Sequence, residues 1–296
     1  MNVQGHRFRD TGVFPSDAEC TRSGDAMMRP SVWRSTGVGS CPPERMRTGG
    51  PMEIQNRIAF VTGGASGIGR ATVVALAGKG ASVVFADLDE EGAEETIGSA
   101  GVVDRVVFRA CDVTDGDDLA AAVDSAVEVF GRLDIVANIA GIGDGGDLFA
   151  DDPGDWRRVV DIDLTAVVDA TRLAVRAMRR GGHGGVVVNL ASLIGLHPMA
   201  AAPVYSAAKA GVVNFTRSLA HLAADSGIRV NAICPELVDT PMAFAMGDDA
   251  LAELRASGSI LAPEDVAACV VHLIEDDSRA GAVLQITSAE GATFID

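Results

Sequence analysis

From Ile58 onward, short runs rich in β-branched residues alternate with stretches of helical periodicity, and this alternation constrains the fold more than any other feature. The runs are Ile58 to Thr62, Ser82 to Ala86, Arg105 to Ala110, Leu133 to Ala137, Gly185 to Leu190, Ile228 to Cys234 and Ala282 to Ile286. Helical patterns fall between most of them: Arg70 to Lys79, Asp117 to Phe130, Trp156 to Arg179, Val204 to Ala224 and Pro263 to Glu275. Strands apolar on both faces and separated by amphipathic helices predict a parallel sheet covered on both sides. Right-handed crossovers then give a single doubly wound, Rossmann-like α/β domain with a mostly parallel, seven-stranded sheet over residues 52–296. No sequence is left over for a second domain.

Residues 1–51 differ from the rest. They hold seven Arg against five Asp plus Glu, a net of +2, which leaves −19 for the remainder of a chain whose total is −17. Rich in Gly, Pro, Ser and Thr and without apolar periodicity, they bury too little to offset ordering entropy. The segment is read as a disordered extension, with Met52 a candidate true start. It lacks the apolar core of a secretory signal, and its five acids argue against a transit peptide. The strong negative charge excludes nucleic acid and membrane surfaces as partners. No apolar run reaches the roughly 18 residues of a membrane helix. Five scattered cysteines without a CxxC pair read as reduced thiols of a cytoplasmic protein, with no metal site.

In doubly wound sheets, ligands bind beyond the carboxyl ends of the strands. After the first strand comes Thr62-Gly63-Gly64-Ala65-Ser66-Gly67-Ile68-Gly69, opening a helix. Glycines there permit a tight turn and let backbone N–H groups approach a pyrophosphate. The second strand ends at Asp87, whose carboxylate suits a ribose diol and would repel a 2′-phosphate. No Arg or Lys sits inside the loop or directly after Asp87. The cofactor expected is therefore NAD, not NADP.

Tyr205 is the only tyrosine in the chain, and Lys209 is one of only two lysines. Four apart, they project from one face of a helix. Ser192 lies at the end of the strand Gly185 to Leu190. Together with the glycine loop and Asn138-Ile139-Ala140-Gly141, in this order and spacing, these residues resemble the short-chain dehydrogenase/reductase family over essentially everything after Met52. The resemblance implies hydride transfer between NAD(H) and a secondary alcohol or ketone. Tyr205 would be the general acid/base, Ser192 would hold the substrate oxygen, and Lys209 would lower the Tyr pKa and bind the nicotinamide ribose. It also implies cofactor contacts from Gly63, Ser66, Gly67, Ile68 and Gly69, with Asp112 and Val113 at the adenine. Asn138, Ala140 and Gly141 would brace the sheet beside the cofactor, and Pro235, Val238 and Thr240 would lie at the nicotinamide. The chemistry agrees: a phenol of pKa about 10 is a poor base at neutral pH unless nearby positive charge favours phenolate.

Two positions depart from the family pattern. Asp163 stands where the family has an Asn that completes a Ser-Asn-Tyr-Lys set, which adds negative charge near Lys209. Glu236 replaces the Gly that usually follows Pro235, setting a side chain where the backbone normally passes the nicotinamide. The segment Pro241 to Met246 is expected to act as a lid. With Leu193, Ile194, Leu196 and Met199, it implies a small-to-medium, largely apolar alcohol or ketone substrate. The resemblance further implies a homodimer or homotetramer. The alternative function is a non-catalytic NAD-binding or scaffold protein of the same fold.

Overall fold

The computed structural model describes residues 52–143, 148–149 and 155–295. The expected extension over 1–51 lies outside them. The elements begin with strand β1 (Ile58–Thr62), helix α1 (Gly67–Gly78), β2 (Ser82–Asp87), α2 (Glu90–Ala100), β3 (Val106–Ala110), α3 (Gly116–Phe130) and β4 (Ile135–Asn138). A helix then runs through α4 (Trp156–Val160), a π-helical turn (Asp161–Thr165) and α5 (Ala166–Gly181) to β5 (Gly185–Leu190). After it come α6 (Pro203–Ser218), α7 (Leu222–Ser226), β6 (Ile228–Pro235), α8 (Asp248–Ser257), α9 (Pro263–Glu275), β7 (Val283–Thr287) and β8 (Gly291–Ile295).

The strands form one sheet in the order β3-β2-β1-β4-β5-β6-β7-β8. Every pairing is parallel except the last, an antiparallel hairpin of β7 and β8. The sheet thus has eight strands, one more than the sequence pattern predicts. β8 escapes that pattern because its Gly-Ala-Thr start is exposed and carries no apolar alternation. The stretch Val204 to Ala224 also divides into two helices, with a break at Leu219 to His221.

β1, β4 and β6 are buried along their whole length, as a sheet covered on both faces requires. One face packs Val61, Leu76, Phe85, Val270 and Ile274 under α1, α2 and α9. The other packs Phe60, Leu119, Val136, Met178 and Val230 beneath α3 and α5. Strand order reverses between β1 and β4, so their carboxyl ends open the crevice where such folds hold ligands.

Arg229 is the clearest structural charge. From buried β6 it donates to the carbonyls of Leu273 (2.9 Å), Ile274 (2.6 Å) and Asp276 (2.9 Å), satisfying the end of α9. Replacing it with Met leaves three carbonyls without this donor. Arg229→Met should therefore lower unfolding free energy by at least about 2 kcal/mol, read as an earlier urea midpoint. An unchanged midpoint would show that α9 does not depend on the guanidinium.

Candidate active site

Lys209 occupies the centre of the site. Its ammonium, 2% exposed, donates to the Leu190 carbonyl at the end of β5 (3.1 Å) and pairs with Asp163 Oδ1 at 2.9 Å. Asp163 is itself fully buried, on the π-helical turn between α4 and α5. Such a turn adds a residue to the helical repeat and re-aims the side chains around it. The other carboxylate oxygen of Asp163 accepts from the Ile142 N–H (3.2 Å), and Gly141 lies so close that a Cβ there would stand 2.6 Å from Oδ1. Burial disfavours the Lys209 ammonium, but the Tyr205 oxygen and Asp163 outweigh it and hold its pKa above the ordinary value.

Tyr205 shares α6 with Lys209, whose Nζ lies 5.4 Å from the ring centroid. The phenol hydrogen-bonds Ser192, just beyond β5. Burial pushes the phenol pKa up, Lys209 and the Ser192 hydrogen bond pull it down, and Asp163 adds to the rise. The net direction is upward. Lys209 thus lowers the Tyr205 pKa as expected, without overcoming burial and Asp163. Ser192 Oγ also accepts from the Ile194 N–H (3.3 Å), and its backbone hydrogen-bonds Cys234, a thiol that burial pushes up to about 12.

The cofactor crevice is built from close backbone packing. Gly63 and Gly67 have positive φ (70° and 48°), and a Cβ on Gly69 would overlap the Gly63 carbonyl. A Cβ on Gly67 would meet Thr240 Cγ2 at 2.9 Å, so the loop and the segment after β6 form facing walls. Ser66 and Ile68 flank Gly67 at the start of α1, which has neither a side-chain cap nor an acidic residue in its first turn. Its N–H groups suit an anion. The Asp87 carboxylate is held by three backbone donors: Ala65 N–H to Oδ2 (2.9 Å), then Leu88 (2.8 Å) and Asp89 (3.2 Å) to Oδ1. Arg70 turns away from it, bonding the Ala65 and Gly92 carbonyls and Thr96 Oγ1 and pairing with Glu95 at 2.8 Å. This donor set and the glycine cradle fit NAD.

The remaining expected contacts fall at or just beyond other strand ends. Asp112 follows β3, with Oδ1 accepting from the N–H and Oγ1 of Thr114 (2.9 and 2.7 Å), while Val113 packs against the core. Asn138, buried at the end of β4, donates to Asn189 Oδ1 (2.8 Å) and Thr171 Oγ1 (3.1 Å), and Asn189 donates to Thr216 Oγ1 (3.0 Å). Thr62, not singled out from sequence, accepts from Ile139 and Ala140 (3.0 and 3.2 Å) and ties the glycine loop to this bracing network. A polar residue closing an otherwise apolar strand was the available signal.

At the end of β6, Pro235 pairs with Ile286, and just beyond it the Glu236 carboxylate accepts from Ser288 N–H (3.0 Å) and Oγ (3.1 Å). Two donors of one residue beyond β7 thus hold the Glu236 side chain. Val238 bridges Leu261, and Asp239 binds Arg255 of α8 through both oxygens (2.6 and 2.7 Å), a clamp the sequence did not reveal. Met199, Met242 and Phe244 are exposed apolar side chains on the segments after β5 and β6.

Comparison with known proteins identifies the family. The family described as short chain dehydrogenase matches residues 57–250. The chain is 42% identical over 239 residues to cis-4-hydroxycyclohexanecarboxylate dehydrogenase of Sinomonas cyclohexanicum, covering 78% of this chain and 94% of the relative. It is 37% identical over 264 residues to 15-hydroxyprostaglandin dehydrogenase (NAD(+)) of Homo sapiens, covering 83% and 96%. The crystal structure of gox2181 aligns with a TM-score of 0.71 at 34% identity, over 79% of this chain and 95% of that one. The chain belongs to the short chain dehydrogenase family and is an oxidoreductase.

Proposed function

We propose that the protein interconverts a neutral, largely apolar secondary alcohol and its ketone, with Tyr205 transferring the hydroxyl proton. The observation that carries this reading is the Ser192–Tyr205 hydrogen bond backed by the buried Lys209 ammonium. The enzyme is NAD-dependent and acts at CH–OH groups. Bound NAD supplies the hydride acceptor, or donor in reverse. Gly63, Ser66, Gly67, Ile68 and Gly69 would hold its pyrophosphate, Asp87 the adenosine ribose, and Asp112 and Val113 the adenine. Asn138, Ala140 and Gly141 would line the crevice, Tyr205 and Lys209 would hold the second ribose, and Pro235, Val238 and Thr240 the nicotinamide end.

In oxidation, Tyr205 Oη accepts the alcohol proton while Ser192 orients the same oxygen. In reduction, the phenol returns that proton to the developing alkoxide and Ser192 donates a second hydrogen bond. Lys209 favours the phenolate and Asp163 restrains it. Exposed Met199, Met242 and Phe244 supply an adaptable apolar wall, consistent with the relative named for cyclohexanol. All of these side chains fall within residues 52–296, the unit proposed to carry the activity.

Assembly into a homodimer or homotetramer is supported by the exposed small face of α6, including Ala207 and Ala210. A cytoplasmic location is supported by Cys111, Cys234 and Cys269, which are free and buried. Among the described residues no helix is long and apolar enough to cross a membrane.

Tyr205→Phe should retain NAD binding while kcat falls by roughly a hundredfold or more. Following NADH formation alongside a cofactor-binding titration checks both, and retained turnover would remove Tyr205 from the mechanism. Wild-type kcat/KM should favour NAD over NADP, with Asp87→Ala narrowing the gap because the repelling carboxylate is gone. Higher efficiency with NADP in the wild type would refute the role given to Asp87. Light scattering should report an oligomer, and a monomer at assay concentration would count against the α6 interface.

A further inference from the structure

The negative charge buried behind Tyr205 has a consequence for when that residue ionises. We propose that Asp163 is a charge-setting positioning residue: by offsetting part of the Lys209 charge inside the site it helps burial keep Tyr205 a phenol in the free protein, so that ionisation waits for the positive charge of oxidised NAD. The inference rests on the assignment of Tyr205 as the proton-transfer group.

Geometry carries it. The ammonium and the carboxylate are 2.9 Å apart and shielded from solvent, at 2% and 0% exposure, so water does little to screen either charge. The second partner of Lys209, the Leu190 carbonyl, is neutral. Asp163 is also confined, with Ile142 N–H on its other oxygen and Gly141 packed against it. The described groups acting on Tyr205 are Lys209 on the same helix, Asp163 on the π-helical turn, Ser192 after β5 and Cys234 on β6. Ser192 is uncharged, and Cys234 is a thiol pushed up to about 12 by burial, so it carries no charge at working pH. The field at the phenol is therefore that of an ammonium partly offset by the carboxylate beside it. Burial keeps the phenol protonated, and Asp163 reinforces it.

Oxidised and reduced NAD differ by one positive charge on the nicotinamide. With the Lys209 charge partly offset, that added charge is what tips the balance toward the phenolate. The base is then formed when the hydride acceptor is bound. With reduced NAD bound, Tyr205 remains protonated and ready to donate.

Tyr205 is the only tyrosine in the chain, so a label at the tyrosine ζ carbon gives one NMR resonance, and its titration reads this residue alone. In the cofactor-free wild type, Tyr205 should titrate above free tyrosine, and a midpoint below it overturns the proposal. Asp163→Asn and Asp163→Ser, both neutral, should titrate at lower pH than the wild type. Coincident midpoints in any folded neutral variant also overturn it. Oxidised NAD should lower the wild-type midpoint relative to reduced NAD, and no difference between the two would refute the dependence on cofactor charge. For Asp163→Asn saturated with NAD, the acid limb of kcat should move to lower pH, whereas a merely structural role would depress kcat without moving the limb. Retained turnover in Tyr205→Phe would remove the base assignment and leave the titration comparison standing.

Discussion

The buried ammonium of Lys209 is the interaction on which the site depends. An unpaired cation in that position would be costly, and several elements converge to hold it. The end of β5 supplies the Leu190 carbonyl, the π-helical turn supplies Asp163, and α6 carries the Lys itself with Tyr205 one turn earlier. Close contact enforces the arrangement. A Cβ on Gly195 would stand 2.7 Å from the Lys209 backbone, so the segment after Ser192 is packed directly onto the catalytic helix. Ser192, Tyr205 and Lys209 thus keep their mutual geometry because backbone meets backbone.

The same economy governs the crevice. The Asp87 carboxylate, proposed to meet the ribose, accepts from Ala65 within the glycine loop, so the proposed cofactor selection and the loop shape share one side chain. Arg70 holds the reverse side of that loop through the Ala65 carbonyl and is tied to Glu95 on α2. The Arg70 guanidinium is thus occupied by structure. NAD preference then follows from two placements: a carboxylate kept in position and a guanidinium kept away.

Much of this was legible in the sequence. Strands buried on both faces print continuous apolar runs, and the glycine loop, Asp87, Ser192 and the Tyr205–Lys209 spacing fall at strand ends or on one helix face. β8 was not legible, because its exposed Gly291-Ala292-Thr293 start has neither alternation nor a buried face. The sequence put the Asp163 charge near Lys209, but did not show the direct pair that the two form. That pair depends on a π-helical turn, and helical periodicity assumes an unbroken 3.6-residue repeat. The partner of Glu236 was not legible either, because Ser288 is 52 residues away and only tertiary structure brings the two together.

Rigid and variable parts are segregated along the same sheet edge. The network from Asn138 through Thr171 and Asn189 to Thr216 links β4, α5, β5 and α6 by buried side-chain hydrogen bonds. Breaking one member would strand the others in a low-dielectric interior, so the network fixes the cofactor end relative to Tyr205. The apolar residues proposed to meet substrate sit instead on exposed segments, and the Asp239–Arg255 clamp holding α8 is itself largely solvent-facing. Exposed ion pairs contribute little stability, so this wall can rearrange at small cost. Proton transfer and cofactor placement are thereby insulated from changes in what the pocket accepts. Substitutions at Met199, Met242 or Phe244 can alter the substrate without disturbing the Lys209 centre.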